Sequence, residues 1–194
     1  MNRTLFVGDV HSCASELEQL LEKTQPTRVI LVGDVFNKGP DPDRTWALIQ
    51  AWQAEAVLGN HDLKVIQKSK QGEWRAPREA VEWLKSLPLM IEDEEWIAVH
   101  AGLNPEGPTT QGQAVRVRRW PDDEDPSNPF WWECYSGPKM VIYGHDALRG
   151  LQDHRPKTIG LDTGCVYGGE LTGYLLEEDQ IVSVPSAGSL WESP

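Results

Sequence analysis

Six short apolar runs in this chain break off in the same way. TLFVGDVH (residues 4–11), RVILVGD (28–34), EAVLGNHD (55–62), WIAVHAG (96–102), KMVIYGHD (139–146) and TIGLDTG (158–164) each pass from a β-rich stretch into glycine, acid, amide or histidine. Apolar runs of that length suit strands buried on both faces. Helical patterns lie among them. Residues 15–23 carry Leu17, Leu20 and Leu21; residues 43–53 carry Trp46, Leu48, Ile49 and Trp52; residues 78–87 carry Val81, Trp83 and Leu84. Strands alternating with helices predict an α/β fold. From 170 to 184 the sequence reads LTGYLL and then QIVSV, which predicts an antiparallel hairpin.

With 194 residues the chain is expected to form a single domain, residues 1–194. Residues 104–137 are rich in Pro, Gly and Asp and read as a short helix near 110–119 followed by an irregular excursion, a lid or insertion. There is no apolar run long enough to span a membrane, and Met1 leads directly into a strand pattern rather than a secretory segment. Three scattered cysteines, Cys13, Cys134 and Cys165, form neither a disulfide framework nor a CxxC pair. These features together predict a cytoplasmic protein. The net charge of −12 argues against a grip on long nucleic acid and against anionic membranes. A small anionic phosphate substrate is compatible with that charge if bound metals reverse the field at one site. The sequence leaves the oligomeric state open.

In α/β sheets, ligands collect beyond the carboxyl ends of the strands. Those ends carry Asp9, His11, Asp34, Asn60, His61, His100, His145 and Asp162. Four of the five histidines lie just past a predicted strand, while His154 falls in a polar loop and is expected to be exposed. A lone histidine or a Gly-Asp pair at a strand end would ordinarily be a turn. Converging from several strands, the same residues offer enough carboxylate, amide and imidazole donors for two divalent ions. No thiolate calls for structural zinc, and the imidazoles argue against calcium. Asp34, alone after its strand, is the natural carboxylate to bridge two ions.

The ordered motifs GDVHS, GDVFNKGP, GNHD, VHAG and YGHD resemble the phosphoprotein-phosphatase type of binuclear, calcineurin-like metallophosphoesterase. GDVHSCASELEQLLE, GNHDLKVI, VHAGLNP and LDTGCVYGGELTGYLLE further resemble symmetric diadenosine-tetraphosphate hydrolases and ApaH-like phosphatases, over nearly the whole chain except about 104–137. The resemblance implies a two-sheet αββα sandwich and a metal-dependent phosphohydrolase. It implies one ion on Asp9, His11 and Asp34, and a second on Asp34, Asn60, His100 and His145. The ions would be Mn²⁺, with Fe, Zn, Co or Ni as alternatives. Asp34 and His61 would be the catalytic residues: a hydroxide bridging the metals attacks phosphorus, and His61 protonates the leaving oxygen. Lys38 falls where many relatives have a phosphate-binding arginine, and Asp162 would support the ligands from behind.

Asn37 stands where many protein phosphatases place an aspartate behind the acid histidine, and Ser12 where relatives usually have glycine. A neutral Asn37 beside Lys38 fits the ApaH-like branch. The implied substrate is diadenosine tetraphosphate, cut to two ADP. A serine/threonine or broad phosphomonoester phosphatase, an RNA 5′-end phosphohydrolase and a non-catalytic scaffold are the alternatives. Arg116, Arg118 or Arg119 can grip a distal phosphate, and Phe130, Trp131 or Trp132 can stack on a base. Equally, the arginines can pair with Asp122–Asp125 and the aromatics can plug the segment onto the core.

Overall fold

The computed structural model describes residues 2–74 and 77–189. In chain order the elements begin with β1 (Thr4–Val7), α1 (Ala14–Thr24), β2 (Arg28–Leu31), α2 (Pro42–Ala51), β3 (Glu55–Ala56), α3 (Asn60–Lys70) and α4 (Arg78–Ser86). There follow β4 (Met90–Glu92), β5 (Trp96–Val99), α5 (Gln111–Arg116), α6 (Trp131–Cys134), β6 (Met140–Tyr143), β7 (Gln152–His154), β8 (Thr158–Gly160), β9 (Glu170–Leu175) and β10 (Gln180–Pro185). They build two five-stranded sheets, ordered β10-β9-β1-β2-β3 and β4-β5-β6-β8-β7. Each has a parallel set, β1-β2-β3 and β5-β6-β8, flanked by antiparallel partners.

The two-residue alternation of strands sorts the core into layers. Phe6, Ile30 and Val32 from the first sheet meet Trp96, Ala98, Ile142 and Ile159 from the second, with the Phe6 and Trp96 rings edge to face at 4.9 Å. On the other face of the first sheet, Leu5, Val7, Val29 and Leu31 pack under the helices through Leu17, Leu20, Ile49, Val81 and Leu84. On the other face of the second, Val99, Val141 and Tyr143 pack under Ala114, Val115, Trp131, Trp132 and Tyr135. The arrangement is helix, sheet, sheet, helix.

The fourth layer comes from the segment expected to be an irregular lid. Its apolar residues cover a sheet face that would otherwise lie in water, and Trp131 and Trp132 are buried there. Those two rings are therefore out of reach of a base. Two further differences concern element boundaries. Asn60 is the first residue of α3 rather than the end of a strand, and β3 has only two residues. His154 is exposed as expected, but it lies in edge strand β7 rather than a loop.

The inter-sheet contact of Phe6 makes a direct prediction. Phe6→Ala lowers the unfolding free energy by about 3–5 kcal/mol, read from urea midpoints. Lys85→Ala, on the exposed face of α4, changes it by less than about 0.5 kcal/mol. A Phe6→Ala loss below about 1 kcal/mol contradicts the packing described.

Candidate metal centre

Asp34 sits at the middle of the cluster. It follows β2 at φ 49°, a left-handed conformation that is costly for a non-glycine residue. Its Oδ1 accepts the His61 N–H at 2.8 Å and lies 3.5 Å from His100 Nε2. Its Oδ2 faces the other way, 3.6 Å from His11 Nε2. One carboxylate thus touches two donor sets. On the His100 side, Asn60 Oδ1 lies 3.0 Å from His100 Nε2 and 3.1 Å from His145 Nδ1. On the other side, Asp9 Oδ1 accepts the His145 N–H at 3.1 Å. The ligand atoms of Asp9, Asp34 and His100 all fall within 4.8 Å of one another.

The tautomers test whether cations fit. Each of three histidines faces a backbone carbonyl with one ring nitrogen: His11 Nδ1 to Phe36 O at 3.3 Å, His100 Nδ1 to Val32 O at 2.8 Å, His145 Nε2 to Arg116 O at 3.1 Å. A carbonyl only accepts, so these nitrogens carry the proton. Burial pushes all three imidazoles below the ordinary histidine pKa and keeps them neutral. Their second nitrogens therefore present lone pairs, and those lone pairs face the oxygens of Asp34 and Asn60. Lone pairs gathered around a common point repel unless a cation lies among them, and a backbone bond to the other nitrogen is how metal-binding histidines are oriented. The donor set fits divalent ions.

The carboxylates say the same. Burial, then Asp162 and Asp34, hold the Asp9 carboxyl well above the ordinary range. Burial also raises Asp34 to about 7 and Asp162 to about 6. Asp162 hydrogen-bonds Asp9 and takes the Gly164 N–H at 3.1 Å, so it touches a candidate ligand from behind. Two glycines make the packing possible. A Cβ on Gly59 would lie 2.2 Å from Asp34 Oδ1, and one on Gly144 would lie 2.1 Å from Asp9 Oδ1.

His61 lines the same cavity. Asn37 approaches with its amide nitrogen 2.9 Å from His61 Nδ1, and Lys64 Nζ is 3.5 Å from Nε2. Burial, then Lys38 and Lys64, lower the His61 pKa to about 3. Lys38, at φ 66°, lies with its ammonium 4.7 Å from the ring centre of Tyr167 and donates to the Tyr167 hydroxyl.

The cavity has a volume of about 850 Å³. Lys38, Arg118, Arg119 and Phe130 line it, but Arg116 does not. The Arg116 side chain is exposed at the end of α5, and what Arg116 brings to the site is its carbonyl, the partner of His145. Arg118 and Arg119 use their main-chain N–H groups on Asp123 Oδ1, both at 2.6 Å, while the Arg119 side chain donates to the Asn128 carbonyl. Phe130 has no bare face for a base. Trp132 stacks on it at 4.4 Å, and the guanidinium carbons of Arg119 and Arg149 lie 4.2 and 3.8 Å from its centre.

Sequence reasoning passed over Asp62, Tyr167 and Arg149. Asp62 is fully buried and accepts three main-chain N–H groups: Val35 at 3.0 Å and Phe36 at 3.3 Å on Oδ1, Gly59 at 3.1 Å on Oδ2. It ties the loop after Asp34 to the start of α3. Helical spacing was the available signal, since a residue two positions beyond Asn60 on a helix points away from it.

The model of the calcineurin-like phosphoesterase family matches residues 2–184. The symmetrical bis(5′-nucleosyl)-tetraphosphatase of Vibrio parahaemolyticus is 28% identical, over 92% of this chain and 97% of its own. That of Methylobacillus flagellatus is 30% identical, over 94% and 95%. A crystal structure of a candidate diadenosine tetraphosphatase superposes with a TM-score of 0.88 at 32% identity, covering 99% of this chain and 95% of that one.

Asp62→Ala leaves three buried donors without an acceptor. It is expected to cost about 3 kcal/mol or more, measured by denaturant unfolding of metal-free protein. A cost under about 1 kcal/mol would mean that Asp62 does not hold the loop.

Proposed function

Because the chain belongs to the calcineurin-like phosphoesterase family, a family of metal-dependent phosphohydrolases, we propose that it hydrolyses dinucleoside polyphosphates, cutting diadenosine tetraphosphate into two ADP. One observation carries the reading: the two oxygens of Asp34 face two separate groups of lone-pair donors. Asp9, His11 and Asp34 would hold one divalent ion, and Asp34, Asn60, His100 and His145 the other. Mn²⁺ suits this mixed carboxylate, amide and imidazole set. When bound, the ions would supply Lewis acidity and an activated water. The symmetrical position of the cut rests on the relatives, which are named for it.

The chain's own groups would do the rest. The carbonyls of Phe36, Val32 and Arg116 fix the three ligand imidazoles by holding the proton on the nitrogen that faces away from the ions. Lys38 would place a point charge against a phosphoryl oxygen, with the ring and hydroxyl of Tyr167 holding its ammonium in the cavity. With its amide turned over, Asn37 would offer Oδ1 to the Nδ1–H of a protonated His61, and the ring would give its Nε2 proton to the leaving oxygen. The phosphate's negative charge offsets Lys38 and Lys64, the cations that with burial depress the His61 pKa. The uncharged amide of Asn37 supports His61 less strongly than a carboxylate would, which suits an anhydride leaving group better than a serine alkoxide. Asp162 would steady Asp9. The net charge of −12 keeps long nucleic acid out of this reading, and among the described residues no helix is long and apolar enough to cross a membrane.

Incubated with diadenosine tetraphosphate and Mn²⁺, the protein should yield ADP as the sole nucleotide, and a chelator should stop the reaction. ATP with AMP, or full turnover in chelator, rejects the reading. His61→Ala should retain both ions while losing about a hundredfold or more in kcat. Equal rates for the variant and the parent would remove His61 from the chemistry.

A further inference from the structure

The carboxylate of Asp146, the residue after His145, is shared by two arginines. Arg118 Nε lies 3.5 Å from Asp146 Oδ1, and Arg149 Nε lies 3.1 Å from Asp146 Oδ2. All three side chains line the cavity that holds the candidate metal ligands. One carboxylate with two guanidinium groups leaves a net positive charge. Both contacts are ion pairs rather than hydrogen bonds, Asp146 Oδ2 being buried without a hydrogen-bond partner, and the terminal nitrogens of the two arginines make no hydrogen bond among the described residues. Those nitrogens form the edge that grips phosphate oxygens in pairs.

The Arg149 group is also held over a ring. Its guanidinium carbon lies 3.8 Å from the centre of Phe130, and Phe130 stacks on Trp132 with 3° between the ring planes. Trp132 in turn stacks on Tyr143 of β6 at 5.6 Å, in the buried layer over the second sheet. A continuous pile of planar groups runs from the sheet to the cavity wall. An arginine braced in this way loses little further freedom on binding, which raises the return from each contact. Arg119 does not share the role, because its guanidinium is bound to the Asn128 carbonyl.

We propose that Arg118 and Arg149, anchored together by Asp146, clamp the phosphates of an oligophosphate chain that extend beyond the phosphate held at the metal centre. The assignment rests on the phosphohydrolase reading above and adds to it the feature that selects a chain of linked phosphates over a phosphomonoester.

Binding tests this independently of turnover. The probes are orthophosphate and imidotriphosphate, whose N–H bridges resist hydrolysis, titrated by calorimetry into Mn²⁺-loaded protein at fixed free Mn²⁺. The parent should bind imidotriphosphate more tightly than orthophosphate, and Arg149→Ala and Arg118→Ala should each reduce that preference about tenfold. Arg149→Lys keeps the charge but not the planar fork, so it should recover only part of the loss; it also serves if the alanine variant folds poorly. Equal weakening of both ligands, or no change in either, overturns the clamp even if the protein yields two ADP from diadenosine tetraphosphate. A clamp that behaves as stated with no ADP formed would retire the dinucleotide substrate and leave the clamp standing.

Discussion

The Asp34 carboxylate is the constraint on which the rest of the structure depends. It is fully buried, its two oxygens point into opposite groups of donors, and its backbone sits in a left-handed conformation. Nothing about such a residue is favourable in isolation. Burial raises its pKa to about 7 even against the lowering effect of the His61 N–H and of Lys38 and Lys64, and Asp9 and Asp162 nearby compound the unfavourable charge. Three neutral imidazoles directed at the same region by backbone carbonyls complete a donor set that fits divalent cations. His11, Asn37, Lys38 and His145 also have positive φ. Left-handed non-glycine residues cost of order 1 kcal/mol each, and four of them, His11, Asp34, Lys38 and His145, line the cavity.

Both sheets serve this arrangement. The parallel strands of each deliver their carboxyl ends to a common cavity, and the apolar filling between the sheets, through Phe6, Trp96 and Ile142, sets how closely those ends approach. Asp9 and Asp34 follow strands of the first sheet, His100 and His145 strands of the second. The candidate ligand set therefore straddles the sandwich, and α3 brings Asn60 in at its first residue. The outer layer from α5 and α6 has two jobs. It covers the second sheet, and it projects Arg118 and Phe130 to the cavity wall.

Much of this was legible in the chain itself. The abrupt change from apolar run to Gly-Asp or Gly-His marked the strand ends, and alternation along 170–184 marked the hairpin formed by β9 and β10. Candidate donors could be picked out because a metal needs donors of a particular chemistry whatever the fold, and the structure brings those side chains together. What escaped depended on tertiary direction. Arg116 and Arg118 look alike in sequence, yet α5 ends at Arg116 and sends that side chain outward, while Arg118 lines the cavity. Trp131 and Trp132 were indistinguishable from Phe130 until the bare face of the second sheet was known to need cover. Asp62 sat inside a motif that already explained its neighbours, so its bonds back to Val35 and Phe36 had no local sign. Arg149 lay outside every recognised pattern.

The most direct test of the account is anomalous diffraction from crystals grown with Mn²⁺. Two peaks about 3.5–4 Å apart are predicted, one beside Asp9 and His11, the other beside Asn60, His100 and His145, with an oxygen of Asp34 bonded to each. A single peak, or two ions with Asp34 bound to neither, would contradict it.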